Sequence, residues 1–191
     1  MGYWLRIYIS FCVTGTPFLV PFRPANRNEL VFEQVARAME IFAIAHEYSH
    51  HHLGHGRRID ADPKLEEFRA DQLALKIAYE VERKPLVFVN PYLSSGAEAV
   101  ILLKALQTLR EVTEVITGVK TKQTDSHPDV ASRIAKFDSV AVLKPKEFEN
   151  LNSFRKVSAR IMEKTGTEVS KLLQAMPTDV RNELRTLSQT I

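Results

Sequence analysis

From about Asn28 to Leu53 apolar side chains fall on nearly every face of a helical register: Leu30, Val31, Phe32, Val35, Met39, Ile41, Phe42 and Ile44. A helix that is apolar nearly all round belongs in the middle of a domain, and Gly54 supplies its stop signal. The end of this helix is His46-Glu47-Tyr48-Ser49-His50. Val35, Met39, Phe42, His46 and His50 recur at helical spacing, so the two histidines prolong a stripe expected to face the interior. Polar groups placed there need partners.

The H-E-x-x-H pattern offers a particular set of partners. Helical residues four apart share one face about one turn apart, so His46 and His50 can present imidazole nitrogens to one zinc ion. Glu47 projects to the side of that pair, where it can take a proton from a water that the metal activates. The competing reading is a pair of structural histidines satisfied at a helix end. A catalytic zinc needs a third protein ligand and one open position. Candidates lie in Glu66-Glu67-Phe68-Arg69-Ala70-Asp71. Glu67 and Asp71 are one helical turn apart, which lets Glu67 bind metal while Asp71 accepts a hydrogen bond from the outer nitrogen of a ligand histidine. Periodicity leaves Glu66 and Glu67 unseparated, because either reads onto apolar positions further along the helix. His51, His52 and His55 read as a polar helix end, Tyr48 as pointing away from the metal side, and Tyr79 and Tyr92 as unassigned.

The surrounding pattern is mostly α, in one domain of 191 residues that is 45% hydrophobic. A second helix starts at Asp62-Pro63, a cap followed by proline at the first helical position, and runs to about Arg83. Lys84 to Leu93 reads as a loop with a short strand at most. Ser95-Gly96-Ala97-Glu98 has the form of a capping box and opens a third helix ending near Gly118. His127-Pro128 starts a short helix to about Phe137. Two amphipathic helices follow, from about Pro145 to Lys164 and from Thr178 to the end; Phe148, Leu151, Phe154, Val157 and Ile161 mark the apolar face of the first. Residues 1–24 are read as an extended or β arm, 28–137 as the catalytic core and 145–191 as C-terminal helices. In the arm, Ile7 to Val13 and Phe18 to Val20 are rich in β-formers on either side of the turn signal Thr14-Gly15-Thr16-Pro17. This predicts a small β element near the N-terminus.

Three segments resemble the gluzincin zinc metallopeptidases, and most closely the group of the CAAX prenyl endopeptidase and the HtpX-type proteases. They are Ala45-His46-Glu47-Tyr48-Ser49-His50-His51-His52-Leu53-Gly54-His55, Glu67-Phe68-Arg69-Ala70-Asp71, and Ser126-His127-Pro128-Asp129-Val130-Ala131-Ser132-Arg133-Ile134. The first is also similar to the corresponding segment of ImmA/IrrE-type and phage-exclusion peptidases. The resemblance implies a zinc endopeptidase acting on a protein or peptide, with Glu67 as third ligand. It also implies that the H-P-x-x-x-x-R-I segment begins a later helix that brings His127 and Arg133 to the substrate side of the metal. The multiple spanning helices of the membrane members have no counterpart here, so a prenylated substrate is not implied.

Composition narrows the alternatives. The net charge of +3 comes from 26 Lys and Arg against 23 Asp and Glu, scattered rather than gathered into a nucleic-acid-binding stripe. Cys12 is the single cysteine. It allows no intrachain disulfide, fits a reducing compartment, and leaves histidine and carboxylate as the available zinc ligands. Trp4 to Phe22 is interrupted by polar residues and fits a spanning helix poorly, so a cytoplasmic location is expected ahead of membrane association. The rival function is a zinc-binding regulatory or interaction protein that keeps the fold without turnover.

Overall fold

The computed structural model describes residues 29–56, 62–84, 93, 96–119, 127–137 and 145–190. They form the helices α1 (Glu29–Leu53), α2 (Pro63–Glu82), α3 (Ala97–Thr117), α4 (Val130–Phe137), α5 (Pro145–Gln174) and α6 (Thr178–Thr190), with no strand among the described residues. The mostly α reading stands. The expected β arm and the strand considered at 86–89 lie outside the described residues. No helix among the described residues is long and apolar enough to cross a membrane.

Helix α1 packs chiefly on α2 through small side chains. Ala38, Ala45 and Ser49 on α1 and Ala70, Ala74 and Ala78 on α2 are buried to 4% exposure or less. Short side chains let two helix backbones approach closely, and the buried Ser49 hydroxyl returns its hydrogen bond to Ala45 O within its own helix (2.6 Å). The expectation that α1 is covered on every side is corrected: Ile44 and Tyr48 are 63% and 56% exposed. The covering helices meet only the face that carries Ala38, Phe42, Ala45 and Ser49, so its opposite face stays in solvent.

The main core joins Phe42 and Ala45 of α1, Ala74 and Leu75 of α2, Ala99, Val100 and Leu103 of α3, and Phe137 of α4. Val130 and Ile134 pack against it, so the short α4 is pinned along its length. Its N-cap is Asp129, whose carboxylate accepts from Ser132 N–H at 2.8 Å. Helix α4 therefore begins at Val130, three residues later than the sequence reading placed it, and His127 lies in the approach to the helix.

Two further details depart from the sequence reading. The N-cap of α3 is Gly96, at φ 90°, and Glu98 Oε2 accepts its N–H at 3.1 Å. The carboxylate half of the expected capping box is present, shifted by one residue; Ser95 lies outside the described residues. A Cβ on Gly96 would also sit 3.1 Å from Leu75 Cδ2. Helix α5 runs ten residues past Lys164, to Gln174. Gly166 does not end it, because Val169 and Leu173 continue the contact with Val112 of α3, and Gly166 admits the close approach of Thr108. On the preceding turns, the predicted apolar face is not the buried one. Arg155 and Ser158 are buried, while Phe154, Val157 and Ile161 are 39%, 53% and 59% exposed. Two buried carboxylates, Glu82 and Glu98, account for this register. Burial and the neighbouring Glu82 push the Glu98 carboxyl well above its usual range, and Arg155 counters the shift. Turning the cation inward is favoured over leaving two buried acids without one.

Candidate metal centre

His46 and His50 share one face of α1, and the antiparallel course of α2 brings Glu67 opposite His50 and Asp71 opposite His46. His50 Nε2 lies 3.1 Å from His46 Nε2 and 3.2 Å from Glu67 Oε1; His46 Nε2 lies 3.6 Å from Glu67 Oε2. Tetrahedral zinc with ligands near 2.0–2.1 Å separates its ligand atoms by roughly 3.3–3.4 Å, and these three distances bracket that value. The three residues form the group whose ligand atoms all lie within 4.8 Å of one another. Glu67 is 5% exposed, and among the described residues no hydrogen bond reaches its Oε2. A buried carboxylate oxygen without a donor is an expensive arrangement that a cation at this point would relieve. The donor set, two imidazoles and one carboxylate, is one that zinc accepts. The residues fit the ion.

A layer of supporting contacts surrounds the trio. His46 Nδ1 lies 3.0 Å from Asp71 Oδ1. Arg133, brought in by α4, donates to both oxygens of Asp71, from Nε at 2.7 Å and from a terminal nitrogen at 2.6 Å. Its other terminal nitrogen is 3.6 Å from Glu67 Oε2. His127 Nδ1 is 3.0 Å from Glu67 Oε1, with its side chain 55% exposed. Glu47 is exposed, and its charge acts on His50.

These charges set the protonation of the metal-free site. Burial depresses the His46 imidazole, but Asp71 and Glu67 beside it prevail and raise its pKa from 6.5 to about 9. Burial likewise pushes Glu67 up, and His46, Arg133 and His127 outweigh it, holding the carboxyl at about 2. His50 is lowered, first by burial and then by the positive His46. Near neutrality His46 is an imidazolium lying beside the Asp71 and Glu67 carboxylates without a hydrogen bond to Glu67 Oε2, and ligation through His46 displaces its proton.

Every site residue named from the sequence except Glu47 thus has a contact in one cluster. Glu66 stands apart: its carboxylate accepts Gly56 N–H at 3.2 Å and ties the end of the α1 turn to α2. Tyr79 is also away from the cluster, its hydroxyl accepting from Arg83 at 2.8 Å; Tyr92 lies outside the described residues. The histidines after His50 do not act as one polar end. His52 stacks on Tyr48 at 5.8 Å between centroids, and His51 is exposed. His55 turns back to His50, with their Nδ1 atoms 2.9 Å apart. Sequence reasoning missed this contact. Its signal was the Gly-His step after the helix stop, which suits a chain reversal. Comparison with models of protein families, with curated proteins and with solved structures returns no match for this chain.

Proposed function

We propose that this chain is a zinc-dependent endopeptidase of gluzincin type, with His46, His50 and Glu67 as metal ligands and Glu47 as general base. The observation that carries the reading is the convergence of His46, His50 and Glu67 from two helices at zinc-like spacing, with Asp71 behind His46. When bound, zinc supplies Lewis acidity that polarises a carbonyl and makes a water acidic near neutral pH. The chain's own groups do the rest. Asp71 fixes the ring of His46, and Arg133 fixes Asp71 in turn with a forked pair of hydrogen bonds. Glu47, open to solvent, takes a proton from the attacking water and returns it to the leaving amine of a peptide. The sequence resemblance puts Arg133 on the substrate side. With its nitrogens turned to Asp71 and Glu67, we assign it instead to holding those carboxylates. His127, partly exposed at the same edge, is then the donor for the carbonyl oxygen as negative charge develops on it.

Metal analysis of the purified chain, joined to cleavage of a proteome-derived peptide library, tests the reading. One zinc per chain and cleavage are expected. Glu47→Gln removes a base and no ligand, so it should keep the zinc and abolish cleavage. Near-normal turnover by Glu47→Gln would refute the mechanism, and tight zinc binding without cleavage of any peptide would favour a regulatory zinc protein.

A further inference from the structure

The end of α1 gives His50 a dedicated support. Helix α1 closes with Gly54 N–H donating to His51 O at 3.1 Å and His55 N–H donating to His50 O at 3.0 Å. That pair of reversed bonds is the Schellman arrangement, which requires a left-handed residue after the last helical one; Gly54 occupies it at φ 66°. The reversal lays the His55 ring against His50, with centroids 4.9 Å apart at an interplanar angle of 77°, and sets Nδ1 of one 2.9 Å from Nδ1 of the other.

The two faces of the His50 ring then have separate duties. Its Nε2 looks toward His46 and Glu67. An imidazole that ligates through Nε2 carries its proton on Nδ1 and needs an acceptor there to hold the ring. For His46 the carboxylate nearest that nitrogen is Asp71, at 3.0 Å. Among the described residues no carboxylate meets His50 Nδ1; the atom in place is His55 Nδ1. We infer that His55 is a positioning residue for the metal centre, accepting a hydrogen bond from His50 Nδ1 while carrying its own proton on Nε2. The inference rests on the metal-centre reading above and deepens it. A neutral acceptor orients the ring without the negative charge a carboxylate would add, and so leaves the metal more electrophilic than two carboxylate-backed histidines would.

The test uses the full chain and zinc alone. Zinc affinity is measured by competition with a chromogenic chelator for the native chain, His55→Ala and His55→Asn, and cobalt is substituted for zinc to read the ligand field. Asn Oδ1 supplies an acceptor close to the position of Nδ1. His55→Ala should lose roughly 10–100-fold in affinity and shift the cobalt absorption bands. His55→Asn should recover most of both, and thermal unfolding of all three metal-free chains should coincide. Stoichiometric zinc binding by the native chain with unchanged affinity and bands in His55→Ala would overturn the inference and leave the metal-centre reading standing. Equal losses in Ala and Asn would overturn it too, since the acceptor would not be what matters. A folded native chain that binds no zinc would remove both.

Discussion

At the scale of single residues, Glu67 is the meeting point of the site: His46, His50, His127 and Arg133 all bring nitrogen atoms within 3.6 Å of its carboxylate. Its neighbours set a pH signature. Glu67, held at about 2 against an ordinary 4.5, contributes stability above pH 4.5 that is lost as pH falls through about 2. His46, raised from 6.5 to about 9, contributes stability below pH 6.5 that is lost as pH rises through about 9. Urea unfolding of the chelator-treated chain should therefore show declining stability from pH 6.5 to 9, while zinc affinity rises over the same window as the ligand proton is shed. A flat stability profile in the native chain would contradict the assignment, and His46→Gln should flatten it. His127 makes a second residue-scale prediction. Because it touches Glu67 from the solvent edge and is not one of the three ligands, His127→Ala should keep the zinc content. It should lower kcat by roughly 10²–10³ with little change in KM, the usual loss for one oxyanion donor. Steady-state kinetics with zinc analysis would check both halves; loss of zinc would make His127 a ligand instead.

At the scale of elements, the pairing of α2 with α4 depends on a buried ion pair. The Arg133 side chain is 12% exposed and that of Asp71 2%, so removing the guanidinium leaves an uncompensated buried carboxylate. Arg133→Ala should cost on the order of 3–5 kcal/mol in the metal-free chain, read by denaturant unfolding. Arg133→Lys should recover only part of it, since an ammonium cannot reproduce the fork. Full recovery by lysine would mean that charge alone matters here. The helix ends repeat this dependence on short-range chemistry. Asp62 caps α2 by accepting Lys64 N–H, and Asp129 caps α4. Asp62-Pro63 is legible from sequence as a start. At α4 the sequence pattern is read as starting at His127-Pro128, although Asp129 with Ser132 three residues on is the stronger capping signal.

At the scale of the whole molecule, the site is assembled by helices that also make the core. Phe42 lies one turn before His46 on α1 and meets Phe137 of α4 edge-on, at 6.4 Å between centroids. Phe137 is fully buried and anchors the helix that delivers Arg133 and follows His127. Phe137→Ala should cost roughly 3–5 kcal/mol. At saturating zinc it should lower turnover more than zinc content, because the proposed ligands sit on α1 and α2. Calorimetry and kinetics on the same sample would separate the two, and a proportional loss of zinc would show that α4 supports the ligands themselves.

The sequence by itself determined the helical character of the chain, the pairing of His46 with His50, and the position of Glu67 one turn from Asp71, because a helix repeats its faces every three to four residues and neighbours along the chain suffice to encode that. Its periodicity did not separate Glu66 from Glu67; only the resemblance of the motif favoured Glu67. The packing of α1 on α2 through alanines separates them, turning Glu67 inward and leaving Glu66 to the Gly56 N–H. Nor did it foresee that Arg133 would clasp Asp71, that His55 would reach His50, or that α5 would bury Arg155 and expose Phe154, Val157 and Ile161. Each of these depends on the pose of one segment against another, set by summed burial and charge compensation over residues distant in sequence, and no local pattern carries that information.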